Sequence, residues 1–200
     1  LAAQQPFIGR VTRCSTRGFV GAVRLPEPHL PAFGSFCQAE AQQGLSRVFG
    51  LIYNISIEDD DFARQIASIE HAPPEEILDN QQNRQVPVEF HALAIGYEMD
   101  GKTCQTLPPQ PPLTLAPIHV MPDAMVESFT RKLDFLTLIL NSSTIPADEL
   151  VAAALGHAAR IRAQADQEEF LITAGRQCAR MLSRDLIRLE TILKGLHNQL

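Results

Sequence analysis

No Gly-x-x-x-x-Gly-Lys-Ser/Thr segment occurs anywhere in this chain. A phosphate cradle of that type cannot be built without its glycines and lysine, so hydrolysis of ATP or GTP by the chain alone is not expected. The four cysteines, Cys14, Cys37, Cys104 and Cys178, contain no Cys-x-x-Cys clip, and the six histidines are scattered. That spacing argues against a zinc site and for reduced, partly buried thiols in a cytosolic protein. No run approaches the roughly 18 apolar residues that span a bilayer. With no signal-peptide pattern either, membrane insertion is not expected and a cytoplasmic location is. Positive charge is also short: 17 basic residues face 23 acidic ones, a formal net of −6. Nucleic-acid binders carry a basic footprint, and this balance argues against one, apart from a local basic face. The deficit is uneven. Residues 1–121 hold 8 basic and 13 acidic groups, whereas residues 122–200 hold 9 and 10. The chain starts at Leu1 rather than Met, which points to an upstream segment, a tag or a processing event.

What is present changes rhythm near residue 121. Before it, short β-type runs rich in Val, Ile, Phe and Gly are broken by Pro and Gly. Phe7 to Cys14 and Gly18 to Leu25 read as strands, and Pro26, Pro28 and Pro31 force an irregular crossing. Phe33 to Ala39 reads as a turn entering a third strand. Ser46 to Ile57 is long, β-branched and aromatic, with Gly50 marking a bulge or a close approach. Residues 62–69 and 74–81 read as short helices or turns inserted in the β-unit. Pro87 to Glu98 returns to strand, and Asp100-Gly101 predicts a hairpin to Lys102–Leu107. The proline-rich run Leu107 to Leu113 is either a stiff strap leading out of the sheet or an SH3-type ligand. Ile118 to Val120 adds a last strand.

From Pro122 onward the apolar residues recur at helical spacing. Val126, Phe129, Leu133, Leu136 and Leu140 form one stripe, and Asn141 to Thr144 a break. Pro146, Asp148 and Glu149 open a second helix whose face is Leu150, Val151, Ala154, Leu155, Ala158 and Ile161. Asp166 and Glu169 resemble a capping box. Phe170, Leu171, Ala174 and Cys178 follow in phase, then Leu189, Leu193 and Leu196. Ser183 either caps a fresh helix or lies within one long one. Phe129, Leu133, Leu136, Leu155, Leu171, Leu189 and Leu193 are the expected buried set. The fold class is therefore α+β: a small N-terminal β-barrel of about six strands over residues 1–121, with short helical insertions, followed by an all-α bundle over residues 122–200.

The order Ile8-Gly9-Arg10-Val11, a second strand, Leu30 to Cys37, then Arg47-Val48-Phe49-Gly50-Leu51-Ile52 resembles the HAS-barrel family, the small β-barrel of HerA-type translocases and ATP synthase catalytic subunits. Ala39 stands where that family often has Val. With Leu107-Pro108-Pro109, Leu133 to Leu136 and the helical tail, the chain is similar to free-standing HAS-barrel proteins of cyanobacteria. The resemblance implies a barrel used for docking and assembly, without the P-loop domain that carries the chemistry in those relatives. It transfers no functional residues.

Candidate chemistry is sparse. The acidic run Glu58 to Asp61 matches no calcium loop and reads first as a solvated loop tip. Cys37 or Cys104 beside His91 would make a thiolate pair, but cysteines in strands are more often small buried hydrophobes. Ser15, Ser46 and Ser128 lack a nucleophile-elbow context. Arg176, Arg180, Arg184 and Arg188 fall on one face if the helix is continuous. There they would grip a phosphate or an acidic partner, or pair with Asp185 on a solvated face. No cofactor, metal or small-molecule substrate is implied. The leading reading is a non-catalytic adaptor or assembly module acting on a protein partner or a second copy of itself. A barrel binding a small ligand or nucleic acid is the alternative, ahead of an enzyme.

Overall fold

The computed structural model describes residues 6–24, 31–57, 68 and 87–198. The predicted insertions at 62–69, apart from residue 68, and at 74–81, and the acidic run Glu58 to Asp61, lie outside them. Seven strands are described: β1 Phe7–Ser15, β2 Gly18–Arg24, β3 Phe36–Ala41, β4 Ser46–Ile57, β5 Pro87–Met99, β6 Lys102–Cys104 and β7 Pro117–Val120. Five helices follow: α1 Asp123–Phe129, α2 Leu136–Leu140, α3 Ala147–Arg160, α4 Gln164–Met181 and α5 Leu186–His197.

The strands run in the order β2-β1-β7-β3-β4-β5, and β5 returns to β2. That last ladder extends from Gly18 opposite Leu93 to Arg24 opposite Pro87. The result is a closed, wholly antiparallel six-stranded barrel, which removes the open edges that invite aggregation. The strand β6 adds a short hairpin arm to β5. Asp100 and Gly101, both at positive φ, make its turn, as the Asp-Gly signal requires. Gly50 sits at a register shift against β5, and the Phe19 ring packs where its side chain would be. Both expectations for that glycine hold.

The proline-rich run does not lead out of the sheet. It crosses back over the barrel, held by the Leu113 N–H on the Glu40 carbonyl (3.0 Å) and the Leu115 N–H on the Val11 carbonyl (2.8 Å). It delivers β7 between β1 and β3, so the strand nearest the helices in sequence is the one that closes the barrel.

Two apolar cores result. One fills the barrel interior, around Ile8, Phe19, Cys37, Ile52, Phe90 and Ile118. The other lies between the outer face of the barrel and the helices. Phe36, Phe49, Leu51 and Ile95 from the strands meet Phe129, Phe135, Leu136, Ile139, Leu150 and Leu155. Phe129 is central: its ring centroid is 5.3 Å from that of Phe135, 5.5 Å from Phe49 and 6.5 Å from Phe36. The change of secondary structure near residue 121 is therefore crossed by one continuous core.

The stripe from Val126 to Leu140 is buried as expected at Val126, Phe129, Leu133 and Leu136, but it is not one helix. The chain breaks at 130–135, and a strand-side residue holds the break. Gln105, just after β6, donates from Nε2 to the carbonyls of Phe129 (2.6 Å) and Lys132 (3.0 Å). Its Oε1 accepts from the Phe135 N–H at 3.1 Å. This clamp also explains why β6 ends at Cys104 rather than Leu107: Gln105 has turned toward the helices. Three backbone groups depend on one amide, so Gln105→Ala should cost about 1–3 kcal/mol. Thermal unfolding of that variant beside Gln105→Glu checks this, and an unchanged Tm would remove the clamp from the account.

The helix α3 is the central one. Its predicted face is buried at Leu150, Val151, Ala154, Leu155 and Ala158, and so are Ala152, Ala153 and Ala159 around it. The small residues allow close approach: a Cβ added at Gly195 on α5 would lie 3.0 Å from the Ala152 Cβ. A second latch joins α1, α3 and α4. The Arg162 guanidinium donates to the Ala158 carbonyl, the Glu127 carbonyl and Thr130 Oγ1, and stacks 3.7 Å over the Phe170 ring. The expected capping box at Asp166 does not form; Ala163 occupies the cap position of α4, without a side-chain hydrogen bond.

Candidate interaction surface

The last two helices are covered differently from α3. Only Ala174 and Cys178 are buried along the 18 residues of α4, and only Ile192 and Leu196 along the 12 of α5. Leu193, expected in the core, is instead 43% exposed, and Leu171 and Leu189 are half-buried. The reason is that α4 and α5 form the outer layer. Each packs on α3 along one narrow line, and nothing described lies beyond them.

Ser183 neither caps α5 nor lies within a continuous helix. The chain leaves helical geometry at Leu182, and Asp185 caps α5 by accepting from the Arg188 N–H at 3.2 Å. The condition for a four-arginine face is therefore not met. Arg176 and Arg180 stand exposed on α4, Arg184 lies exposed in the break, and Arg188 belongs to α5. Arg188 is half-buried and turned inward. It grips Asp148 of α3 through Nη2 at 2.7 Å and Nε at 2.9 Å, and this hydrogen bond holds its guanidinium more firmly charged than usual. It joins two helices. The other three arginines make no ion pair with a described residue.

The start of α5 adds further exposed apolar side chains to Leu193. Leu186 is 70% exposed and Ile187 is 80% exposed at the start of α5. Leu186, Leu189 and Leu193 follow at spacings of three and four, so they share one side of the helix. Together with Glu190, Lys194, His197 and Asn198 they line a shallow groove of about 580 Å³. Glu190 and Lys194 pair at 2.6 Å along its rim, which lowers the Glu190 carboxyl pKa but, at this exposure, adds little to stability.

The nucleophile candidates stay apart. Cys37 is inside the barrel core, where burial drives its thiol pKa far upward, and Cys178 is pushed up to about 11 by burial. A thiol so raised is not a nucleophile near neutral pH. His91 is on the outer side of β5, 3.2 Å from the Glu89 carboxylate and edge-on to Tyr53 at 5.8 Å. Among the described residues no group of three or more His, Cys, Asp or Glu is arranged to hold a metal ion, and no helix is long and apolar enough to cross a membrane. No protein-family model and no curated protein matches the chain, so the likeness to the HAS-barrel family rests on the residues quoted for it.

Proposed function

We propose that this protein is a non-catalytic assembly module that associates through α5, in the first place with a second copy of itself. The observation that carries the reading is the exposure of Leu186, Ile187 and Leu193 on one capped helix. Contiguous apolar surface of this kind, rimmed by charge, marks interaction sites in soluble proteins. The pattern is self-complementary. In an antiparallel pair of α5 helices, the register that sets Leu186 against the partner's Leu193 also brings Lys194 beside Asp185 of the partner subunit. A two-fold contact of this sort is the commonest form of oligomer. Glu190 and Lys194 lie on its charged rim, with Arg176, Arg180 and Arg184 exposed on α4 and in the break before α5, and charge around such a contact governs association rate and salt sensitivity more than final affinity. The resemblance to barrels used for docking and assembly supports the same reading, as does the absence from the sequence of a phosphate-binding loop. The four free thiols fit the expected cytoplasmic setting.

The test is the double variant Leu186→Glu, Leu193→Glu, compared with the unaltered chain by light scattering. Both side chains are substantially exposed, so the fold should survive, which circular dichroism will show. The expected result is a loss of self-association with an unchanged spectrum. A folded variant with the same mass as the parent at every concentration would remove α5 from the contact.

A further inference from the structure

A second cleft lies on the other side of the α2–α3 loop. Its floor is the start of β2 and the middle of β5. The β1–β2 turn with Arg13 and Arg17 and the loop carrying Ser142, Ser143 and Thr144 complete its lining. It encloses about 490 Å³, within the range of small-molecule sites.

Its lining is chemically biased. The chain as a whole is −6, yet among the described residues no aspartate or glutamate lines this cleft, whereas two arginines and a histidine do. Glu89 places one oxygen 2.9 Å from Arg13 and 3.2 Å from His91, outside the lining. Asp148 is held by Arg188, and Glu149 lines the separate hollow beyond the loop. Arg17 forms no ion pair with any described residue. Its backbone is fixed at both ends: the N–H donates to Ser15 Oγ at 3.2 Å and the carbonyl accepts from the Ala94 N–H at 3.0 Å. A fixed turn thus brings a guanidinium that has no ion pair to a described residue into the same cleft as three hydroxyl-bearing residues. That set offers a tetrahedral anion both charge and directional donors. The half-buried side chains of Leu93, Ile145 and Tyr53 supply the apolar part of the lining, whereas the Phe19 ring points into the barrel core.

We propose that this cleft binds a small aryl phosphate: the phosphate on Arg17 and the hydroxyls of the α2–α3 loop, the ring on the surface around Tyr53. This is a site separate from α5, and its occupancy does not depend on the assembly proposed above.

The probe is phenyl phosphate, titrated into the full chain and followed by amide NMR, with phenol and inorganic phosphate as separate arms. Saturable shifts confined to 13–20, 91–93 and 142–145, with both single-part probes weaker, are expected. Arg17→Met, at an exposed turn, should keep the spectrum of the folded protein and weaken phenyl phosphate at least tenfold. Absence of saturation up to about 10 mM, which is weaker than millimolar binding, would overturn the proposal. So would shifts centred elsewhere, an Arg17→Met variant that binds equally well, or inorganic phosphate binding as tightly as phenyl phosphate.

Discussion

Phe36→Ala should lower stability by roughly 3–5 kcal/mol, the usual cost of emptying a buried aromatic site. For a chain of this size that corresponds to a fall in Tm of ~10 °C. Phe36 is the hinge of the shared core. It is fully buried at the start of β3, and its ring lies 6.2 Å from Phe135, 6.5 Å from Phe129 and 5.7 Å from His157. One truncation therefore loosens α1, α2 and α3 from the barrel together. A single cooperative transition at lower temperature, seen by both far-ultraviolet circular dichroism and calorimetry, is the expected result. Two separate transitions would mean that barrel and helices unfold independently and that the common core is not what joins them. Leu186→Ala is the control: at an exposed position the change should stay within about 0.5 kcal/mol.

The second large effect is expected at a residue with no side chain. Gly34 has φ +76, and a Cβ there would stand 2.4 Å from the Ala153 Cβ and 3.2 Å from the Ala153 carbonyl carbon. Gly34→Val meets two penalties at once. Left-handed geometry costs a side-chain-bearing residue about 1–2 kcal/mol, and forced overpacking about 1–3 kcal/mol more. Chemical denaturation should show a loss of about 2–5 kcal/mol, the sum of the two. Because the collision is with α3 and not with another strand, Gly34→Val combined with Ala153→Gly should recover part of it. No recovery in the double variant would show that backbone strain alone is responsible.

Much of this fold was legible because its strands are short, alternating and punctuated. Asp100-Gly101 placed a turn, Gly50 placed a bulge, and the loss of proline after Pro122 marked where the barrel ends. What escaped were features set by distant contacts. The break after Phe129 depends on Gln105, whose amide reaches across from the strand side; nothing in the spacing of Val126 to Leu140 signals it. Ser183 read either as a cap or as part of one long helix, but the capping side chain is Asp185, two residues later, and that decides where α5 begins. It also dissolves the apparent arginine face, since periodicity runs through a break that the backbone does not.

The burial of Leu189 and Leu193 was misread for a related reason. Helical spacing identifies an apolar stripe without saying whether a neighbour covers it. Leu189, Leu193 and Leu196 look alike in sequence, yet only Leu196 reaches α3 fully. The cleft near Arg17 had no sequence signature at all, because its lining comes from four separate segments, residues 13–20, 53, 91–93 and 142–145. Barrel closure, through the β2–β5 ladder, brings residues 13–20 beside residues 91–93.

The most direct test of the assembly account is sedimentation equilibrium of the unaltered chain over a wide concentration range. The account predicts an average mass that rises from that of the 22.1 kDa chain toward twice that value as concentration increases, with a steeper rise at high salt if the apolar stripe dominates and a shallower one if the charged rim does. A mass fixed at 22.1 kDa up to the highest concentration reached would contradict it and leave α5 as an uncovered face of a monomer.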